Sequence, residues 1–251
     1  MSEELKTDMP EQAEEPAKGK KKKKPVNKKK LGIVAVVIVA IIAVAGVGFW
    51  KWHETPSFCA AFCHNMDQYL DGYMQEQDTT GTDKWGNEVS NTNAMMAVLH
   101  KSNDTTSKSE IVCLDCHHAV IGEQMTEGVE FVTGNYYDPL DERVGGDLTA
   151  WWNEDEDRFC SNENCHVVLQ GADGKVDRDK LEGMTAAKYG KYNPHSQHHE
   201  SMELSCTECH KGHRASVLVC TGCHTDGEFT LPDGWVTYQQ SEELVNAEFA
   251  S

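Results

Sequence analysis

The alternation of apolar and polar positions yields one long apolar run and few others. Residues 31–50, LGIVAVVIVAIIAVAGVGFW, contain no charge. As a helix they rise about 30 Å, enough to cross a bilayer core. A secretory signal has a shorter apolar stretch, about 7–15 residues, so twenty predict a retained anchor. Beyond it the patterning is short-ranged. Residues 67–73 and 122–133 have helical spacing, and so does the stretch carrying His195, His198 and His199. Residues 138–157 read as an acidic loop with Trp151 and Trp152. The pattern predicts a mainly α chain with extensive loops. Its parts are a Lys-rich disordered tail (1–30), a transmembrane anchor (31–52), a folded domain (53–224) and a C-terminal tail (225–251).

Composition changes this picture in one respect. Hydrophobic residues make up 39% of the 251 positions, and seventeen of them lie in the anchor run 31–50. What remains is too polar and too weakly patterned for a conventional core. Something other than aliphatic side chains must organise residues 53–224.

Charge sets the orientation. Residues 1–30 hold ten lysines against six acids, and a basic flank stays on the cytoplasmic side. Trp50 and Trp52 mark the opposite interface. Everything after about residue 53 is then outside the cytoplasm, in a chain of formal net charge −18. So acidic an exterior excludes nucleic acid as a partner and suits a partner with a basic docking rim.

The cysteines supply the missing organiser. All ten fall into five pairs, each followed directly by histidine. Three have the spacing C-x-x-C-H: Cys113, Cys116, His117; Cys206, Cys209, His210; Cys220, Cys223, His224. Two are stretched, with three residues between Cys59 and Cys63 before His64, and four between Cys160 and Cys165 before His166. Two thiols so placed add to the two vinyl groups of one haem, and the adjoining histidine gives the iron an axial nitrogen. Extra intervening residues can bulge away while the thioether positions are kept. Zinc sites do not require histidine directly after each pair, and a disulfide framework gives no reason for it. The sequence predicts five haem c groups as the core of 53–224.

Seven histidines remain: His53, His100, His118, His195, His198, His199 and His213. A second histidine on the iron gives a low-potential haem, and a methionine raises the potential. His100, His213 and one of His195, His198 and His199, with His198 preferred, are the leading second ligands. Met66, two residues after His64, either binds the first haem in place of His64 or packs on its ring.

At these residues the chain resembles the NapC/NirT/NrfH family of membrane-anchored multihaem quinol dehydrogenases. The resemblance rests on the single anchor, the His64-Asn65-Met66 ending of the first motif, Val112-Cys113-Leu114-Asp115-Cys116-His117 and Cys206-Thr207-Glu208-Cys209-His210-Lys211-Gly212. It covers roughly residues 31–214. It implies a membrane quinol, menaquinol being the expected one, oxidised beside the first haem, with electrons passed to an extracytoplasmic reductase in anaerobic respiration. It also implies Met66 on the first haem, His213 on the second, one of His195, His198 or His199 on the third, and His100 on the fourth. The chain departs from the family in its stretched motifs, its fifth motif and its lack of a lysine between His117 and Asn135. Glu123, Glu127 and Glu130 occupy that stretch, and a carboxylate there could take the proton that quinol oxidation releases; the alternative is an exposed acidic face. Two other functions compete: terminal reduction of a small oxyanion or nitrogen compound at an open haem, and a quinol-independent electron conduit. Residues 171–183 alternate acids and glycines in the manner of a calcium loop but lack the full ligand set, which predicts a solvated insertion.

Overall fold

A computed structural model describes residues 28–62, 66–102, 110–118, 120–136, 142–196 and 204–249. The chain divides into two units, residues 1–48 and 49–251. In the first, helix α1 (Lys28–His53) begins. It is long and apolar enough to cross a membrane, and its aliphatic side chains are exposed throughout.

The second unit is helical and loop-rich. Helix α2 (Pro56–Phe62) follows α1 after a turn. Thr55 Oγ1 donates to the Trp52 carbonyl at 2.7 Å, and the rings of Trp52 and Phe58 meet edge-on with centroids 5.1 Å apart. Pro56 suits a first helical turn because its missing N–H would be unsatisfied there anyway. Then come α3 (Asp67–Met74), the strands β1 (Gly81–Thr82) and β2 (Glu88–Val89), and the one-turn helices α4 (Met96–Leu99) and α5 (Cys113–Cys116). Helices α6 (Ile121–Thr133), α7 (Gly146–Thr149), α8 (Glu156–Cys160), α9 (Arg178–Tyr189) and α10 (Cys206–Cys209) follow. Strands β3 (Val217–Leu218) and β4 (Val236–Thr237) and helix α11 (Tyr238–Phe249) close the chain. The strands form two short pairs, β1 with β2 antiparallel and β3 with β4 parallel.

The helices expected over 67–73 and 122–133 form α3 and α6. The loop expected over 138–157 contains α7, a 3₁₀ turn over Ala150–Trp152 and the start of α8. Asp155 explains the last of these: its side chain accepts from the Asp157 N–H at 3.1 Å and caps α8. Residues 194–196 are a turn rather than a helix, because Asn193 Oδ1 accepts from the His195 N–H at 3.1 Å and bends the chain there. The two acids of 171–177 are engaged in a turn and a cap, Asp173 accepting from the Lys175 N–H at 3.0 Å. Asp177 caps α9 through the Lys180 N–H, and Lys175 reaches Asp155 at 2.6 Å.

Among the described residues there is one small aliphatic core. Val89, Ala94, Met95, Val98 and Ala215 form it, with Trp235 and Val236 against its side. Backbone hydrogen bonds stitch 94–97 to 211–216: Met96 N–H to Lys211 O, Ala97 N–H to Gly212 O and Ser216 N–H to Ala94 O. This seam carries His100 at one end and His213 at the other. The C-terminal segment wraps the same core. Val236 N–H donates to Ser216 O at 3.0 Å, and Tyr238 covers Gly222. Gly234 has φ +78° and sits where a Cβ would lie 2.4 Å from the Asn91 carbonyl oxygen.

Candidate haem-binding sites

Each described haem motif folds into the same closed turn. The His117 N–H donates to Cys113 O at 2.8 Å, His210 to Cys206 O at 2.9 Å and His224 to Cys220 O at 2.9 Å. The stretched third motif closes from histidine to first cysteine as well, His166 N–H to Cys160 O at 3.0 Å, over six positions instead of four. Its extra residues loop outward through Asn162, whose side chain donates to Phe159 O and accepts from the Asn164 N–H. In two regular motifs the acid before the second cysteine reaches back to cap the turn: Asp115 accepts from the Val112 N–H at 2.9 Å and Glu208 from the Ser205 N–H at 2.6 Å. That is the carboxylate half of a capping box. The first motif is described only at Cys59, on α2, and at Met66, half-buried at the start of α3. Cys63 and His64 lie outside the described residues, as do His198 and His199.

Opposite the motif histidines stand other histidines. His117 and His213 are stacked with centroids 6.3 Å apart and planes 15° apart. His210 and His195 are stacked at 6.4 Å and 18°. His166 and His100 are 6.0 Å apart and nearly perpendicular, at 80°. An imidazole nitrogen binds a first-row metal at about 2 Å and its ring centre lies roughly 1 Å beyond, so two imidazoles across one iron have centroids about 6 Å apart. All three pairs have that separation, which is too long for ring-on-ring stacking to explain.

The electrostatics suit ligation. Burial, with Arg143 next, lowers the pKa of His117; burial and then Arg178 lower that of His195; burial and then His100 lower that of His166. His210 falls to about 4 through burial and its neighbour His195, and His213 to about 3 through burial and its neighbour His117. Neutral imidazole is the form that binds metal. His100 Nδ1 is 2.8 Å from the Met96 carbonyl and so carries the proton, leaving Nε2 as the ligating nitrogen. The Nδ1 atoms of His195 and His213 are buried without a partner. His117 and His166 have open ring surface although burial lowers their pKa values. Protein atoms crowd both rings while part of their surface stays open, as a slot for a flat prosthetic group would leave them. The residues present fit haem c.

Two of these pairs differ from what the resemblance implies. His213 faces the second motif as implied. His100 faces the third motif rather than the fourth, and His195 the fourth rather than the third. The backbone explains the exchange. The seam with 211–212 fixes the end of α4 and hence His100, while Asn193, 5% exposed and bonded to Thr185 and the Glu182 carbonyl, fixes His195 to α9. His118 faces neither iron position of these pairs; it lies against Trp152 and Phe159, 4.8 and 5.4 Å between centroids. His53 stacks near Trp50 and contacts Phe58.

Successive motifs adjoin. Glu156, Cys160 and Cys206 bring their ligand atoms within 4.8 Å of one another. Glu156 Oε1 accepts from both the N–H and the hydroxyl of Thr207, at 3.0 and 2.6 Å, joining the third motif to the fourth. The Cys59 thiol hydrogen-bonds to Cys113, joining the first to the second. These sulfurs stand where thioether sulfurs would be. Beside the fifth motif a cavity of about 400 Å³ opens between His224, Phe229, Leu231 and Gln239.

The three candidate acids lie on α6 with unlike surroundings. Glu123 is buried against Arg143, and Glu127 meets the same guanidinium at 3.1 Å. Burial, then the nearby Glu123 charge, raises the Glu127 pKa above the usual carboxylate value despite Arg143. Glu130 is half-buried. Arg143 is a residue the sequence reading missed, since nothing in a loop twenty positions away signals that it pairs with α6.

Comparison with known proteins agrees with this geometry. Residues 152–225 match the family model described as cytochrome c3. The chain is 47% identical over 220 residues to the cytochrome c-type protein Cgr1 of Eggerthella lenta, covering 87% of this chain and 93% of that protein. It is 32% identical over 89 residues to the acrylate reductase cytochrome subunit of Shewanella woodyi, covering 34% of this chain and 68% of that protein. No solved structure matches. The mostly helical chain, with its apolar N-terminal helix, its closed cysteine–histidine turns and a relative matched over nearly its full length, belongs to the family of multihaem c-type cytochromes that includes Cgr1.

Proposed function

We propose that this protein is a membrane-anchored pentahaem cytochrome that takes electrons from membrane quinol and delivers them to an extracytoplasmic reductase. The observation that carries the reading is the set of three opposed imidazole pairs at 6.0–6.4 Å. Pairs filled on both sides leave an iron no open position for substrate, which favours transfer over terminal reduction. When bound, the haem groups supply iron that alternates between ferric and ferrous states and so relays single electrons.

The chain's own residues give this its form. His117 with His213, His166 with His100 and His210 with His195 would hold the second, third and fourth groups, and Cys59, Cys63, His64 and Met66 would hold the first. Cys220, Cys223 and His224 hold the fifth, beside the cavity lined by Phe229 and Leu231. Adjoining motifs favour a relay that runs in sequence order. Helix α1 anchors the chain in the cytoplasmic membrane with its lysines inside. Quinol oxidation releases two protons with its two electrons, and Glu127 is suited to receive one: its carboxylate is raised in pKa, and Arg143 steadies it once charged. Glu123, locked to Arg143, positions that guanidinium. The Shewanella relative is named as a reductase's cytochrome subunit, which supports a reductase as the electron acceptor here.

The test is anaerobic mixing of purified full-length holoprotein with a soluble menaquinol analogue. Reduction of haem within the time of turnover is expected, and Glu127→Gln should slow it about tenfold or more, in line with lost general-base assistance. A protein reduced by dithionite but inert to quinol would leave the conduit reading in its place.

A further inference from the structure

Helix α6 is turned the wrong way for water. A surface helix of a soluble domain hides its apolar side and shows its charges. In α6, Ile121, Met125, Val129 and Val132 are 75, 68, 63 and 84% exposed, whereas Glu123 is 7% exposed. With 3.6 residues per turn these four side chains share one stripe about 16 Å long. A continuous exposed apolar stripe marks a contact with something other than water.

Its position indicates the contact. The Gln124 amide Nε2 donates to His53 Nε2 at 3.3 Å, and His53 is the last residue of α1. Helix α6 therefore starts beside the point where the long apolar helix ends, the level that Trp50 and Trp52 also mark. The stripe lies on the side of α6 opposite the buried Glu123, which meets the rest of the protein through Arg143. We propose that this outward face of α6 is a second membrane contact, with Ile121, Met125, Val129 and Val132 seated at the boundary of headgroups and acyl chains. Interfacial helices of this kind bind in proportion to the apolar area they bury. The polar face of α6 has no lysine or arginine, so attachment here is apolar and insensitive to salt. The arrangement holds Glu123, Glu127 and Arg143 at the bilayer surface. The inference rests on the reading of α1 as a membrane anchor and extends it to a second element.

The test uses full-length holoprotein in nanodiscs containing a phospholipid with a photoreactive diazirine in its acyl chain. After illumination, peptides are mapped by mass spectrometry. Lipid adducts are expected on residues 31–50 and also on residues 121–133, but not on α9, whose exposed Met184 serves as the control. Replacing Val129→Ser and Val132→Ser together should lower the α6 adducts at least fivefold while haem content and the dithionite-reduced spectrum stay unchanged. Adducts confined to 31–50, with α6 left unlabelled because water or a second copy of the chain covers it, would overturn the contact. The same nanodiscs are mixed with the menaquinol analogue. Labelled α6 with no quinol reduction would sink the quinol reading alone, and quinol reduction with unlabelled α6 would sink the membrane contact alone.

Discussion

At the residue scale, the proposed ligand pairs depend on small polar side chains that position the second histidines. Asn193 positions His195 through its Oδ1 while bonding to Thr185 and the Glu182 carbonyl. Asn193→Ala removes these bonds and should free His195. Electron paramagnetic resonance of the oxidised protein should then show one low-spin centre converted to high spin, with the thioether-bound haem retained. His195→Ala should give the same spectrum, whereas His118→Ala, which removes a ring lodged against Trp152 and Phe159, should leave the low-spin count intact. A second residue-scale prediction concerns Glu142. It receives Arg214 and Lys211. Burial pushes its pKa up, but hydrogen bonding from Arg214 and the surrounding cations prevail and leave it lowered. A lowered carboxylate adds stability above its unfolded value of about 4, and that stability is lost as pH falls through the folded value. Glu142→Gln should therefore cost about 1–2 kcal/mol near neutrality, discounted for partial exposure, and should flatten the acid limb of thermal stability below about pH 4.

At the scale of elements, the histidine turns were legible and their partners were not. Cysteine–histidine spacing specifies the turn because its closure is local, and even the stretched motif of Cys160 and Cys165 keeps the His166 to Cys160 bond. The placement of His100 and His195 was illegible because it is set by contacts with residues far away in sequence: α4 by the seam with 211–212, His195 by a turn anchored on α9. The loop expected over 138–157 was misread because Asp155 acts as a cap, and a single acid within an acidic run carries no separate signal. The C-terminal segment offers an element-scale prediction. Gly234 adopts a positive φ and touches the Asn91 backbone, so Gly234→Ala meets both strain and a clash. It should destabilise the β3–β4 and α11 region by about 2 kcal/mol or more. Hydrogen exchange in 236–249 should rise in that variant, while protection in α9 stays as it was.

At the scale of the molecule, few aliphatic side chains are buried, and the core of Val89, Ala94, Met95, Val98 and Ala215 is too small to order a unit that runs from residue 49 to 251. On the proposed reading the organising apolar mass would be the prosthetic groups, large flat rings that the cysteine pairs would tie by thioethers and that imidazoles from distant parts of the chain would hold. The sequence alone showed that such groups were needed, through a polar composition paired with five cysteine–histidine motifs; it could not show which histidines would meet across them. Intact-mass measurement of the full-length protein under denaturing conditions, where only covalent haem survives, tests the account most directly. The account predicts the polypeptide plus five haem masses, with zinc absent. A mass showing fewer than five haems, or sulfurs bonded to one another or to zinc, would contradict it.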